Sequence, residues 1–136
     1  MATKILDSWA LMALFRDEPC ADDVESLLLK ATSTGQHFLL SAVNWGEIFY
    51  SVHRADGLEA AEQKAQEIAA LPIDIVGVGD DLALVRLAAI FKATHKMSYA
   101  DCFAAALAKL RNAELVTGDP EFKTVEKEIK IAWLNQ

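Results

Sequence analysis

The stretch Lys4-Ile-Leu-Asp-Ser-Trp-Ala-Leu-Met-Ala-Leu-Phe15 changes character in its middle. Lys4 to Asp7 is a short apolar run of strand type, and Ser8 to Phe15 reads as a helix that Ser8 can cap. A strand that passes straight into a helix is half of a β-α unit. If the rest of the chain repeats the alternation, the strands lie parallel in one sheet with helices on its faces.

The alternation does repeat. Asp22 to Ala31 carries Val24, Leu27, Leu28 and Leu29 at helical spacing, and Ser33-Thr-Gly35 closes it. His37 to Leu40 is a second strand, Ser41 a cap, and Ala42 to Arg54 a helix with Val43, Trp45, Ile48, Phe49 and Val52 on a broad apolar face. Gly57 separates it from Leu58 to Leu71, whose Glu59, Glu62, Lys64 and Glu67 form a solvated face. Ile73 to Val78 is a β-branched third strand, and Asp80 or Asp81 caps a helix through about Lys92. Ser98 to Leu110 is an alanine-rich helix, Glu114 to Thr117 a fourth strand, Pro120 to Lys127 a short helix and Lys130 to Leu134 a final strand. The expected fold is α/β, a three-layer α/β/α sandwich around a mostly parallel sheet of about five strands.

With 136 residues the chain matches a single domain, residues 1–136, large enough to bury about two-thirds of its unfolded surface. Three prolines and the absence of any low-complexity segment leave no linker to divide it. Cys20 and Cys102 have neither metal-ligand spacing nor a disulfide framework, so they read as buried small hydrophobes of a cytoplasmic protein. No signal peptide is recognisable, and no apolar run approaches the ~20 residues of a membrane span. The net charge of −7 disfavours loose adhesion to nucleic acid or anionic lipid. It does not exclude a nuclease, because bound metal and a local strip such as Lys92, Lys96 and Lys109 can still receive a phosphate backbone.

Several familiar motifs fail. Gly77-Val-Gly-Asp-Asp-Leu82 has two glycines of a dinucleotide loop, but Leu82 stands where the third should be. There is no Gly-Lys-Ser/Thr phosphate loop and no Gly-x-Ser-x-Gly elbow, and His37, His53 and His95 are scattered. A phosphotransfer aspartate after the first strand wants either a second Asp two residues on, where Trp9 stands, or an acidic pair with a late lysine.

Four acids are placed differently from the rest: Asp7, Glu47, Asp101 and Asp119 each fall at the end of a strand or on the helix after it. In an open α/β sheet these positions converge on one crevice. Two carboxylates about 5 Å apart repel by roughly 3 kcal/mol at an effective dielectric of 20, which a divalent cation offsets. Each acid also has a structural explanation. Asp7 can cap a helix, although Ser8 can do so too; Ser98-Tyr-Ala-Asp101 resembles a capping box; Asp119 precedes Pro120 at a helix start. Glu47 is harder to explain away. It lies three residues after Asn44 on the same side of an apolar helix, where a buried carboxylate needs a partner.

In Ile5-Leu-Asp7-Ser8, Asn44-x-x-Glu47, Ala100-Asp101-Cys-Phe-Ala-Ala-Ala106 and Val116-Thr-Gly-Asp119-Pro-Glu-Phe122, taken in order, the chain resembles the PIN-domain family over essentially its whole length. Within that family it is similar to the VapC-type ribonuclease toxins of prokaryotic toxin–antitoxin pairs. The resemblance implies a metal-dependent endoribonuclease that uses Mg²⁺, or Mn²⁺ in its place, acts on RNA, frequently forms a homodimer and is inhibited by a small antitoxin whose tail occupies the acidic groove. It implies that Asp7, Glu47, Asp101 and Asp119 are the catalytic, metal-site acids. Ser8, Asn44 and Thr117 are supporting polar groups, and Glu121 stands where some relatives place a further Asp. Trp9 departs from the pattern, since many relatives have a small residue there.

The mechanism that follows is hydrolysis of an RNA phosphodiester by metal-activated water, with one or two ions on Asp7, Asp101 and Asp119. Glu47 then orients the water or holds the hydration shell of a second ion. The alternative is a non-catalytic module of the same fold whose acidic groove holds a basic partner peptide. Apolar-rich helices in excess of what one sheet needs point to self-association.

Overall fold

The computed structural model describes residues 3–135; Met1, Ala2 and Gln136, at the ends of the span expected to form one domain, lie outside the described residues. Among the described residues the order is β1 (Lys4–Leu6), α1 (Ser8–Phe15), α2 (Ala21–Thr34), β2 (Phe38–Ser41), α3 (Ala42–Asp56), α4 (Leu58–Ala69), β3 (Ile73–Val76), α5 (Ala83–Thr94), α6 (Tyr99–Leu110), β4 (Glu114–Thr117), a 3-10 helix (Pro120–Val125) and β5 (Lys130–Trp133). The strands form one sheet in the order β3-β2-β1-β4-β5. Every pairing is parallel, with Ile5 opposite both Leu39 and Leu115.

Strand alternation divides the core into two layers. Ile5 and Leu115 point to the face covered by α5, α6 and the 3-10 helix, where they meet Phe91, Phe122 and Leu107. Leu6, Leu40 and Val116 point to the other face and meet Leu11, Val24, Leu28 and Ile48 from α1, α2 and α3. The result is the expected three-layer sandwich. Helix α6 is buried continuously from Asp101 to Ala108, because Ala104, Ala105, Ala106 and Ala108 let it lie close to the sheet while α5 covers its outer side. No helix among the described residues is long and apolar enough to cross a membrane. Cys20 and Cys102 are free and buried, and burial pushes both thiols up.

Several boundaries move for physical reasons. Strand β3 stops at Val76, because its partner β2 ends opposite it at Ser41. Helix α2 runs on to Thr34, with the Ser33 and Thr34 hydroxyls donating back to the Lys30 carbonyl, and Gly35 ends it at φ 72°. Helix α4 ends at Ala69. Helix α5 begins later than expected, after Leu82 in a left-handed conformation, so Asp81 caps from one position further out by accepting from the Ala83 N–H. The short helix after Pro120 is 3-10 rather than α, and it ends at Val125. Lys92 donates to the Met97 carbonyl and Lys109 sits over the Phe91 ring, so two lysines of the suggested basic strip are tied to their own surroundings.

Candidate metal centre

The chain leaves β1 toward β2 and β3, then returns to place β4 on the other side of β1. The direction of winding therefore reverses between β1 and β4, and a crevice opens beyond their carboxyl ends. Asp7 directly follows β1 and Asp119 follows β4 by two residues. Helix α6 brings Asp101 there in its first turn, and α3 brings Glu47 in its second.

Asp7 is completely buried and is the cap of α1. Its Oδ1 accepts from the Ala10 N–H at 2.9 Å and its Oδ2 from the Thr117 hydroxyl at 2.6 Å. Ser8, expected to cap, is the first helical residue instead, and its hydroxyl donates to Glu47 Oε1. The reason lies in backbone geometry: Asp7 is extended, as a cap must be, while Ser8 is already helical. Thr117 serves both strands, because its Oγ1 also accepts from the Asp119 N–H at 3.1 Å. Burial is the main cause that pushes Asp7 up to about 7; its two hydrogen bonds oppose the rise, and the Asp119 charge adds to it.

Asp101 lies in the first turn of α6, where the Ser98 cap accepts from its N–H at 3.1 Å. Its carboxyl is pushed up to about 8, first by burial, then by the Glu121 carboxyl and by the charges of Asp119, Asp7 and Glu47. Asp119 caps the 3-10 helix by accepting from the Glu121 N–H at 3.0 Å, and burial raises its pKa too. Asp101, Asp119 and Glu121 each offer an oxygen, and these lie within 4.8 Å of one another. Three of the acids sit at helix starts, Asp7 and Asp119 as caps and Asp101 in a first turn, yet burial raises all three.

The structure brings all four expected acids to one edge, with unequal roles in the geometry. The tight group is Asp101, Asp119 and Glu121, so Glu121, in the first turn of the 3-10 helix, also lies within reach of the other two acids. Asp7 stands behind it with both oxygens hydrogen-bonded, and Glu47 is half-buried and tied to Ser8. Asn44 is fully buried; its Nδ2 donates to the Ala100 carbonyl at 3.0 Å, beside Asp101. Its Oδ1 has no partner. One contact went unread in the sequence: Trp9 packs so closely on Gly118 that a Cβ there would lie 2.4 Å from its ring. The only signal was the pairing of an unusual Trp beside Asp7 with a Gly beside Asp119.

The donor set fits a hard divalent cation. It consists of carboxylate oxygens, which suit Mg²⁺ or Mn²⁺ better than a metal that prefers His or Cys. A cation relieves the repulsion among the three acids. The hydration shell of such an ion brings O–H donors of the kind that the buried Asn44 Oδ1 lacks.

The sequence matches the PIN domain family over residues 4–128. A comparison with curated protein sequences gives no match. Among solved structures, the fold resembles that of a chain in a VapBC2 complex of Rickettsia felis bound to a promoter DNA fragment: TM-score 0.73, 16% identity, 98% of this chain and 99% of that one covered. A DNA-bound VapBC from Salmonella typhimurium gives a TM-score of 0.69 at 17% identity, covering 97% and 98% of the two chains. VapC20 of Mycobacterium tuberculosis, a sarcin–ricin loop cleaving toxin, gives 0.66 at 17% identity, covering 83% and 87%.

Proposed function

The chain belongs to the PIN-domain family, and from that premise we propose that it is a Mg²⁺-dependent endoribonuclease, the toxin of a type II toxin–antitoxin pair, in which Mn²⁺ can replace Mg²⁺. The observation that carries this reading is the convergence of Asp101, Asp119 and Glu121 within 4.8 Å, backed by the buried Asp7, beyond the carboxyl ends of the strands. The VapBC complexes among its structural neighbours support an antitoxin partner, and the sarcin–ricin loop cleaving toxin among them supports RNA as substrate. The proposal includes a single cytoplasmic domain over residues 1–136 that works as a homodimer.

In this reading Asp101, Asp119 and Glu121 hold the cation, and Asp7 and Glu47 complete the acidic centre. Held there, a divalent cation would supply Lewis acidity for a water and positive charge for the phosphate oxygens. The residues of the chain do the positioning. Thr117 ties the Asp7 carboxylate to the Asp119 backbone, so the acids that follow β1 and β4 keep a fixed relation. Ser8 orients Glu47 through one oxygen, which leaves the other to hold the attacking water or take its proton. Asn44 braces the start of α6 through the Ala100 carbonyl and so sets Asp101.

The test is cleavage of a structured RNA by the purified protein with Mg²⁺ or Mn²⁺, with EDTA as control. Asp7→Asn and Asp101→Asn should each abolish cleavage while circular dichroism shows an intact fold; full activity in both sinks the mechanism. The same acidic groove suits an arginine-bearing antitoxin segment. Absence of metal binding by calorimetry, together with absence of cleavage of any RNA, favours the non-catalytic module.

A further inference from the structure

Trp9 has no part in the chemistry above, yet it is held beside it. Its ring packs on Gly118, where a built Cβ would fall 2.4 to 3.1 Å from three ring carbons. The indole is thereby fixed against the backbone just before Asp119. The same side chain lines a cavity of about 540 Å³ whose wall includes Met12, Arg16, Glu18 and Pro120. That volume is in the range of small-molecule sites. The cavity reaches the loop that carries Asp119, because Trp9 packs on Gly118 and Pro120 forms part of the wall, while the clustered carboxylates themselves lie outside its lining. Arg16 is exposed, and among the described residues the ion pairs involve neither it nor Glu18. A further cavity of about 230 Å³, under Lys4, Lys30 and Phe38, lies at the amino ends of the strands, away from the acids.

We propose that the Trp9 cavity is a nucleobase subsite, which takes the base of a nucleotide next to the cleaved phosphodiester in an unpaired RNA segment. Trp9 is the stacking surface, with Met12 and Pro120 as its apolar surroundings, and Arg16 receives the flanking phosphate. Glu18 is an acceptor only, which suits base amino groups. An aromatic platform with an arginine beside it is the combination that binds single strands, because every base has a π face and every linkage a charge. A base held in a duplex is already stacked and paired, so only an unpaired nucleotide can lay its face on Trp9. This inference rests on the nuclease reading and narrows its substrate.

The test uses the full chain, a short unstructured oligoribonucleotide and its abasic counterpart. In Mg²⁺, Trp9→Leu should raise KM about 10-fold, the scale of one lost base–aromatic stack, with kcat within about twofold on the same reasoning. Trp9→Phe, which keeps an aromatic face, should restore most of the affinity for the base-bearing strand and leave that for the abasic strand unchanged; a purely structural role moves both strands alike. Arg16→Gln, at an exposed position, should lower the salt slope of binding by about one. In an Asp101→Asn background the base-bearing strand should quench tryptophan fluorescence and the abasic one should not, and the quench should be lost when Trp9→Leu is added. Wild-type KM in Trp9→Leu together with an unchanged salt slope in Arg16→Gln overturns the subsite while the nuclease stands. No RNA binding and no cleavage by the wild type in Mg²⁺ or Mn²⁺ overturns both.

Discussion

Removing the charge of Asp7 should stabilise the metal-free protein at neutral and alkaline pH, although it destroys the site. Asp7 is raised from its ordinary 3.8 to about 7 in the folded chain, chiefly by burial. At about 1.4 kcal/mol for each tenfold in proton affinity, ionising it in the fold costs about 4 kcal/mol that the unfolded chain does not bear. The folded state binds this proton more tightly than the unfolded one, so stability falls as pH rises from about 4 to about 7 and levels off beyond that. Asp101, pushed up to about 8, and Asp119 act in the same sense and extend the fall. In Asp7→Asn the Oδ1 acceptor for the Ala10 N–H remains, while the Thr117 hydroxyl loses its carboxylate acceptor at a cost of about 1 kcal/mol. The net gain at pH 8 in EDTA is thus about 3 kcal/mol. Urea unfolding at pH 5, 6, 7 and 8, followed by circular dichroism, measures it, and saturating Mg²⁺ should flatten the wild-type curve by binding the folded state. Wild-type stability that is constant or rises from pH 5 to pH 8 in EDTA, or an Asp7→Asn variant less stable than the wild type at pH 8, refutes the reasoning.

Thr117→Val removes the hydroxyl that links Asp7 to the Asp119 backbone; a loss of 10- to 100-fold in metal affinity, typical of groups that orient ligands, should appear in calorimetry with Mn²⁺ (about that range). Gly118→Ala should cost about 1 to 3 kcal/mol, because the new Cβ collides with the Trp9 ring. Thermal unfolding should recover in the Gly118→Ala, Trp9→Val double variant, which identifies the pair as coupled. Ser98→Ala should lower stability by about 1 kcal/mol through loss of the α6 cap, measurable in urea, and should weaken Mn²⁺ binding as the turn that carries Asp101 loosens.

The layered fold was legible because each of the first four strands is short, mostly apolar and followed by a helix signal, and because Glu114 to Thr117 and Lys130 onward could be read almost to the residue. Strand ends were less legible, since a strand stops where its neighbour stops: Gly77 and Val78 continue the pattern of β3 but have no β2 residue to pair with. The acids could be placed at one edge from their order alone. What the sequence could not reveal was division of labour. Whether Asp7 or Ser8 caps α1 depends on which residue is extended, and whether Glu121 turns toward Asp101 depends on how tightly the chain winds after Pro120. A 3-10 turn eclipses side chains differently from an α turn, and no residue type announces it.

The alanines of α6 carry a consequence for how activity can be lost. They set how close this helix lies to the sheet, and Asp101 rides on its first turn. A larger side chain at Ala104, Ala105 or Ala106, each with no exposed surface, must lift the helix and carry Asp101 away from Asp119 and Glu121. In a genetic selection for cells that survive expression of the protein, escape mutations should therefore accumulate at these alanines as well as at the acids. A map of them would trace the underside of the acidic cluster through residues that carry no chemistry at all.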